Sequence, residues 1–287
     1  TRDQAAQMVW NAMNAYEVEY KTNLVTDENG NLVSQVTVQD KVVSSNNDKI
    51  TLLTDKYEAY VNVGTLESIN GKDLSLYMTS SDKDDSDKDS IDDFTNVSTD
   101  YSALLGQKVK VMFTKANNVL GVYATNDNTT YTVNMKDISA DGNKVELASG
   151  TYAFDDGASI PVVKLDVNNE TVVTGTTMTA ANFDTDANKV STATVKFVDN
   201  DGDGKLNIAI ITEYLAKEVT YVGSDRITAG DTYKMADENI ASDIAQDDYA
   251  MISYNMYDNC LDIVKAEVVT DTLNSSKDKD KYTQYEV

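Results

Sequence analysis

After Tyr20 the chain alternates apolar and polar residues with a period of two, in short runs rich in Val, Ile, Thr and Tyr separated by Asn, Asp and Gly. Successive side chains of a strand point to opposite faces, so this pattern commits the sequence to half-buried β-strands and rules out a helical bundle. The runs predict strands over 32–38, 49–53, 57–63, 73–78, 108–114, 119–124, 131–135, 144–147, 162–166, 170–174, 192–198, 207–214, 218–223, 231–235, 249–255 and 260–269. One proline, Pro161, stands in all of this. The reversals must therefore turn on pairs that accept positive φ, such as Asn29-Gly30, Asn70-Gly71 and Asp141-Gly142.

A weak internal repeat appears at an offset of 141 residues. Val109, Val111, Phe113, Asn118, Leu120 and Val122 then fall on Ala250, Ile252, Tyr254, Asn259, Leu261 and Ile263. Each copy reads as strand, polar turn and strand after an irregular segment, 99–105 or 238–245, an order compatible with a small OB-type barrel. The fold expected is mainly β, with two or three small β domains of OB-like barrel or sandwich type and a short N-terminal helix. The boundaries are a helix at 1–18, β domain 1 at 19–125, β domain 2 at 126–215, β domain 3 at 216–270 and a polar tail at 271–287. Residues 80–93 are low in complexity and carry little to bury, which predicts a mobile acidic loop inside domain 1.

The opening fifteen residues differ in period. Thr1 and Gln4 have the spacing of a capping box, and Asp3 places negative charge at the positive end of a helix dipole. Ala5, Met8, Val9, Ala12, Met13 and Tyr16 then follow helical spacing and form one apolar stripe that needs a surface to pack on. The wording Thr-Arg-Asp-Gln-Ala-Ala-Gln-Met-Val-Trp-Asn-Ala resembles the last helix of an S-layer homology domain, a module that tethers bacterial surface proteins to cell-wall polysaccharide. The resemblance implies that the helix ends a wall-anchoring domain lying mostly upstream. It also implies an extracellular place, on the cell surface or wall of a Gram-positive-type bacterium. An ordinary N-terminal helix docked on its own β domain is the other reading.

Charge narrows the partners. There are 48 acidic residues, 36 of them Asp, against 24 basic ones, a formal net charge of −24. Such a surface repels nucleic acid and anionic lipid and attracts divalent cations. No apolar run approaches the roughly 18 residues of a membrane span. The single Cys260 has no partner for an internal bridge and no nearby cation to activate its thiol, so it reads as a small buried apolar residue.

One constellation stands above composition, Asp199-Asn200-Asp201-Gly202-Asp203-Gly204-Lys205-Leu206-Asn207. Carboxylates at loop positions one, three and five converge on a point, Gly at six permits a sharp turn, and the Lys205 carbonyl and Asn207 oxygen complete a hard-oxygen set for Ca2+. Ile210 stands where an EF-hand has its bidentate Glu, and the flanks alternate as strands. Affinity is therefore expected in the weak extracellular range, roughly 10⁻⁴ to 10⁻³ M. An acidic hairpin holding no metal is the alternative.

Catalysis finds little support. With no histidine in the chain, Ser-His, Cys-His and His-ligated zinc chemistry are excluded. Tyr249, Tyr254 and Tyr257 offer either a sugar-binding face or ordinary cross-strand packing. The expected function is a non-enzymatic bacterial cell-surface or S-layer-like structural element, a stalk or lattice piece whose partners are wall polysaccharide and further copies of itself. An adhesin contacting a host glycan or protein is the competing class; a carboxylate-dependent glycan-cleaving enzyme is a third.

Overall fold

The computed structural model describes residues 1–42, 49–79, 89–267, 275–278 and 283–286. It is mainly β, with 54% strand against 12% helix, arranged as several open sheets with a short helix at the N-terminus. The chain divides into two units, residues 1–62 with 111–121, and residues 63–110 with 122–287.

In the first unit, Thr1 caps helix α1 (Arg2–Asn14): its hydroxyl accepts from the Gln4 amide at 3.3 Å, and Gln4 Oε1 accepts from the Thr1 backbone nitrogen at 2.8 Å. The Asp3 side chain lies outside the described part. Of the apolar stripe only Met13 is half-buried; Ala5, Met8, Val9, Ala12 and Tyr16 are exposed. Strands β1 (Val18–Thr26) and β2 (Leu32–Asp40) form a two-stranded antiparallel sheet, with Val18 opposite Asp40 and Thr26 opposite Leu32. Asp27 organises the turn by accepting from the Asn29 and Asn31 amides at 2.9 and 2.8 Å, and Gly30 takes φ 82°.

The expected strand at 49–53 is instead the approach to helix α2 (Leu52–Tyr57). Thr51 and Thr54 form a reciprocal cap, and that local hydrogen bonding overrides the β-branched composition. Lys41 ties this region together, its ammonium 2.9 Å from both Glu17 and Asp55. Lys56 and Lys41 together hold the Asp55 carboxyl at a pKa of about 2. Those two carboxylates in turn raise the Lys41 pKa.

Strand β3 (Ala59–Asn70) joins β4 (Asp73–Met78), β5 (Ser90–Phe94), β6 (Lys108–Thr114) and β7 (Val119–Ala124) in a five-stranded sheet of order β5-β4-β3-β6-β7. The Asn70-Gly71 turn has the required positive φ, 60° at Gly71. Of the predicted mobile loop, residues 80–88 lie outside the described residues. Ser90 to Asp93 are not loop at all: they pair with β4, and Ser75 donates to Asp93 at 2.7 Å. Cross-strand pairing with an already alternating neighbour outweighs their acidic composition.

The second unit is centred on a sheet of order β13-β12-β15-β14-β8, built from β8 (Thr129–Asn134), β12 (Ser159–Asp166), β13 (Thr171–Thr179), β14 (Thr194–Asp199) and β15 (Ile208–Thr212). One face carries Val162, Val195, Phe197, Ala209 and Ile211. These pack in one buried cluster with Ile138, Val145, Leu147 and Phe183. The last four come from the small sheet β9 (Ser139–Asp141), β10 (Lys144–Leu147) and β11 (Gly150–Ala153), its approach, and helix α3 (Ala180–Phe183). Phe183 meets Phe197 edge to face at 5.2 Å between ring centroids, an arrangement aromatic quadrupoles favour. Pro161 is tolerated in β12 because the parallel pairing with β15 begins only at Val162.

The other face of β14 and β15 is covered by residues 102–106. Lys196 donates to the Ala103 and Leu105 carbonyls at 3.0 and 2.9 Å, and Asn200 Nδ2 donates to Gly106 O at 3.0 Å. Gly106, at φ 81°, sits so close that a Cβ would stand 2.7 Å from Ile208. Burial pulls the Lys196 pKa down to about 8.

Beyond this lie β16 (Leu215–Glu218), β17 (Tyr221–Val222), β18 (Arg226–Ala229), β19 (Asp231–Lys234), β20 (Asn239–Ile240), β21 (Tyr249–Asn255) and β22 (Cys260–Lys265). They are ordered β16-β21-β22-β20 and β17-β18-β19. In the tail, β23 (Ser275–Asp278) pairs with β24 (Thr283–Glu286). No helix among the described residues is long and apolar enough to cross a membrane.

Candidate metal centre

The Asp-rich loop is a strand-to-strand connection, entered from β14 and left through β15, which pair antiparallel from Thr194–Thr212 to Val198–Ile208. Gly202 and Gly204 take φ 80° and 83°, so both glycines supply left-handed turns that a side chain would strain. A Cβ on Gly202 would also press the Asp127 carbonyl at 3.3 Å.

Asp199, at the end of β14, is buried, and its carboxylate accepts from the Gly202 and Gly204 amides at 2.8 and 2.9 Å. Asp201 accepts from the Asp203 amide at 3.2 Å, and Asp203 from the Lys205 amide at 2.7 Å. The loop is thus a ladder of side-chain to backbone bonds, as Asp favours in tight turns. One oxygen from each of Asp199, Asp201 and Asp203 lies within 4.8 Å of the others. Two oxygens on one Ca2+ at about 2.3–2.6 Å from the ion are separated by no more than about 5 Å, so the spacing fits a shared hard cation.

The side chains of the two remaining predicted residues, of which Lys205 is expected to offer its carbonyl, make contacts at the rim and base of the loop. Lys205 turns its ammonium to Asp203 at 2.7 Å and Asp155 at 3.0 Å, placing a resident cation at the rim. This contact raises the Lys205 pKa and lowers that of Asp203. Asn207 Oδ1 accepts from the Asn200 amide at 2.8 Å and the Asn207 amide donates to Val198 O at 2.8 Å, closing the base of the loop. Among the described residues, no cation pairs with Asp201 in this way. Burial first, then the charges of Asp203, Asp199 and Asp155, push its carboxyl above the usual range.

Asp155 is the participant that sequence reasoning misses. It arrives because Leu206, almost fully buried, bridges Phe154, with the Leu206 amide donating to Ala153 O at 2.9 Å and the Asp155 amide to Leu206 O at 3.0 Å. The two segments stand some fifty positions apart, and no local spacing announces their meeting.

The tyrosines are not a flat platform. Tyr254 and Tyr257 are buried, with Tyr254 OH donating to Asn259 Oδ1 at 3.1 Å and Tyr257 OH to Val97 O at 2.9 Å, while Tyr249 is exposed. Cys260 is half-buried, and burial raises its thiol pKa, which leaves it a poor nucleophile. Compared with family models, with characterised proteins and with solved structures, the chain matches none.

Proposed function

We propose that this chain is a non-enzymatic structural element of a bacterial cell surface, S-layer-like in role, whose N-terminal helix belongs with an S-layer homology module that binds wall polysaccharide. The observation that carries the reading is the capped helix α1 with its apolar stripe turned to solvent, Met8 at 72% and Val9 at 58% exposure. An amphipathic helix that leaves its apolar side open has stability to gain from a neighbouring module. Fractionation of the source cells tests it: recovery of the full-length product with the wall, released by wall-stripping agents, is expected. Recovery in the cytosol overturns it.

Within that reading the Asp199–Asn207 loop takes Ca2+. Asp199, Asp201 and Asp203 supply carboxylates, the Lys205 carbonyl and Asn207 supply neutral oxygens, and the ion relieves the mutual repulsion now concentrated on Asp201. At 10 mM Ca2+ and a dissociation constant of roughly 10⁻⁴ to 10⁻³ M, stability should rise by about 1.4–2.7 kcal/mol. Thermal melts with and without Ca2+ measure this, and Asp201→Ala should remove the gain. An unchanged melt for the native chain withdraws the metal.

The 141-residue offset is read as two copies of one small barrel-type module. The support is in the first strand of each hairpin: Val109 and Val111 of β6 and their counterparts Ala250 and Ile252 of β21 are buried at alternate positions. The rest of the hairpins differs, with Leu120 exposed where Leu261 is buried and positive φ at Asn117, one position before the counterpart of Asn259. The competing adhesin reading predicts saturable binding of a glycan or host protein on an array.

A further inference from the structure

The two-stranded sheet β1–β2 is amphipathic and wears its apolar face outward. By register, Val18, Tyr20, Leu24, Leu32, Val36 and Val38 share one face, interrupted by Thr22, Thr26, Ser34 and a single charge, Asp40. The opposite face carries Glu19, Lys21, Asn23, Gln35, Thr37 and Gln39 beside the Val25–Val33 pair. Tyr20, Leu24 and Leu32 are 71–76% exposed, and the three valines of the apolar face 54–60%. On the polar face, by contrast, Val25, Thr37 and Gln39 are half-buried. A lone two-stranded hairpin is marginal in water, and contiguous apolar patches above a few hundred Å² are uncommon on monomers.

We propose that this face is a homodimer contact, in which the hairpins of two copies pack face to face about a two-fold axis running along the strands. Area is compatible with it. The six residues expose roughly 700 Å² per copy, so a pair buries at most about twice that, which reaches the lower part of the ~1,200–2,000 Å² typical of specific interfaces. Shape argues for a second copy in particular. Four of the five cross-strand pairs on this face set a larger against a smaller residue: Tyr20 with Val38, Leu24 with Ser34, Val36 with Thr22, and Leu32 with Thr26; the fifth, Val18 with Asp40, lies at its end. A two-fold axis along the strands lays β1 of one copy over β2 of the other. Leu24 then sits over the partner's Ser34 position and Leu32 over its Thr26 position, and the large side chains interdigitate instead of colliding.

Charge argues the same way. A chain of net charge −24 repels its own kind, and this face, with one carboxylate among ten positions, is a place where two copies approach at little electrostatic cost. Association should therefore strengthen with salt, as screening removes the long-range repulsion and leaves apolar burial untouched. The contact would give the surface-lattice reading one of its junctions, yet it does not depend on it. A monomer in solution removes the dimer and leaves wall anchoring standing; a cytosolic location does the reverse.

Sedimentation velocity of the full chain across protein concentration, at low and raised NaCl, tests the proposal. A reversible dimer that tightens with salt is expected. Leu24→Asp should weaken it at least tenfold, and so should Ser34→Asp, which replaces a residue already polar and leaves the hairpin's own contacts in place. Asn23→Asp, on the opposite face, should leave the dimer unchanged. A monomer at every concentration overturns the proposal, as does a dimer indifferent to both Leu24→Asp and Ser34→Asp.

Discussion

The strand pair β14–β15 and the strand pair β1–β2 are written in the same alternating code and meet opposite fates. In β14 the odd positions Val195 and Phe197 are buried completely, because β9–β11 and α3 form a second layer over them. Even the reverse face of that strand is covered, by residues 102–106. In β1–β2 the apolar positions stay in solvent, and no second layer lies over them among the described residues. Alternation therefore specifies a strand and its two faces. What covers a face is decided elsewhere, by which other elements the chain can bring to it.

The largest expected effect comes from cutting the same kind of side chain in the two places. Phe197→Ala should cost about 3–5 kcal/mol, since it leaves a cavity against Phe183 and the aliphatic residues around it. Tyr20→Ala in dilute monomer should stay within about 0.5 kcal/mol. Urea titrations of both variants measure the contrast, and comparable losses would erase the distinction between the regions.

Lys196 sharpens the comparison through pH. Its folded pKa of about 8 lies below the ordinary lysine value near 10.5, so between these values the unfolded chain binds the extra proton and folding stability contributed by this group rises with pH. The span amounts to roughly 3 kcal/mol. Denaturation of the native chain and of Lys196→Met at pH 7.5 and pH 10.5 should show this rise in the first and its loss in the second. An identical pH response in both would mean that the ammonium is not desolvated.

The smallest effect belongs to the first unit. Asp55 is held at about 2 by Lys56 and Lys41, below the ordinary aspartate value, so its contribution is present above pH 4 and is lost as the pH falls toward 2. Lys41→Met should shift the acid limb of the stability curve slightly upward in pH. Lys41 and Asp55 are only half-buried and the exposed Lys56 still holds the carboxylate, so the change is small, and an unmoved acid limb would assign Lys41 to packing alone.

Legibility follows the range of the physical cause. Strands β4, β6, β7, β10 and β21 are bounded correctly by local alternation and turn residues, and the cap on α1 is written in Thr1 and Gln4. Helix α2 is misread because Thr51 and Thr54 look like strand residues until their hydroxyls are seen capping. Strand β5 is misread because its partner β4, rather than its own composition, makes it a strand. Strand β1 is overlooked because Tyr16 extends the helical spacing past the true end of α1 at Asn14, so the helix is drawn on to residue 18 and alternation is sought only after Tyr20. In the metal loop, Asp199, Asp201 and Asp203 converge as their spacing says they should, whereas Asp155 and the Lys205 contact depend on a bridge across half a domain.

The contrast is most directly tested by hydrogen–deuterium exchange on the full chain at low and high protein concentration. Amides of β14 and β15 should exchange slowly and identically at both concentrations, while those of β1 and β2 should exchange quickly when dilute and slow markedly when concentrated, as the hairpin finds its second layer. Slow exchange of β1 and β2 that does not change with concentration would mean that the hairpin is already covered within one chain, and would contradict the account.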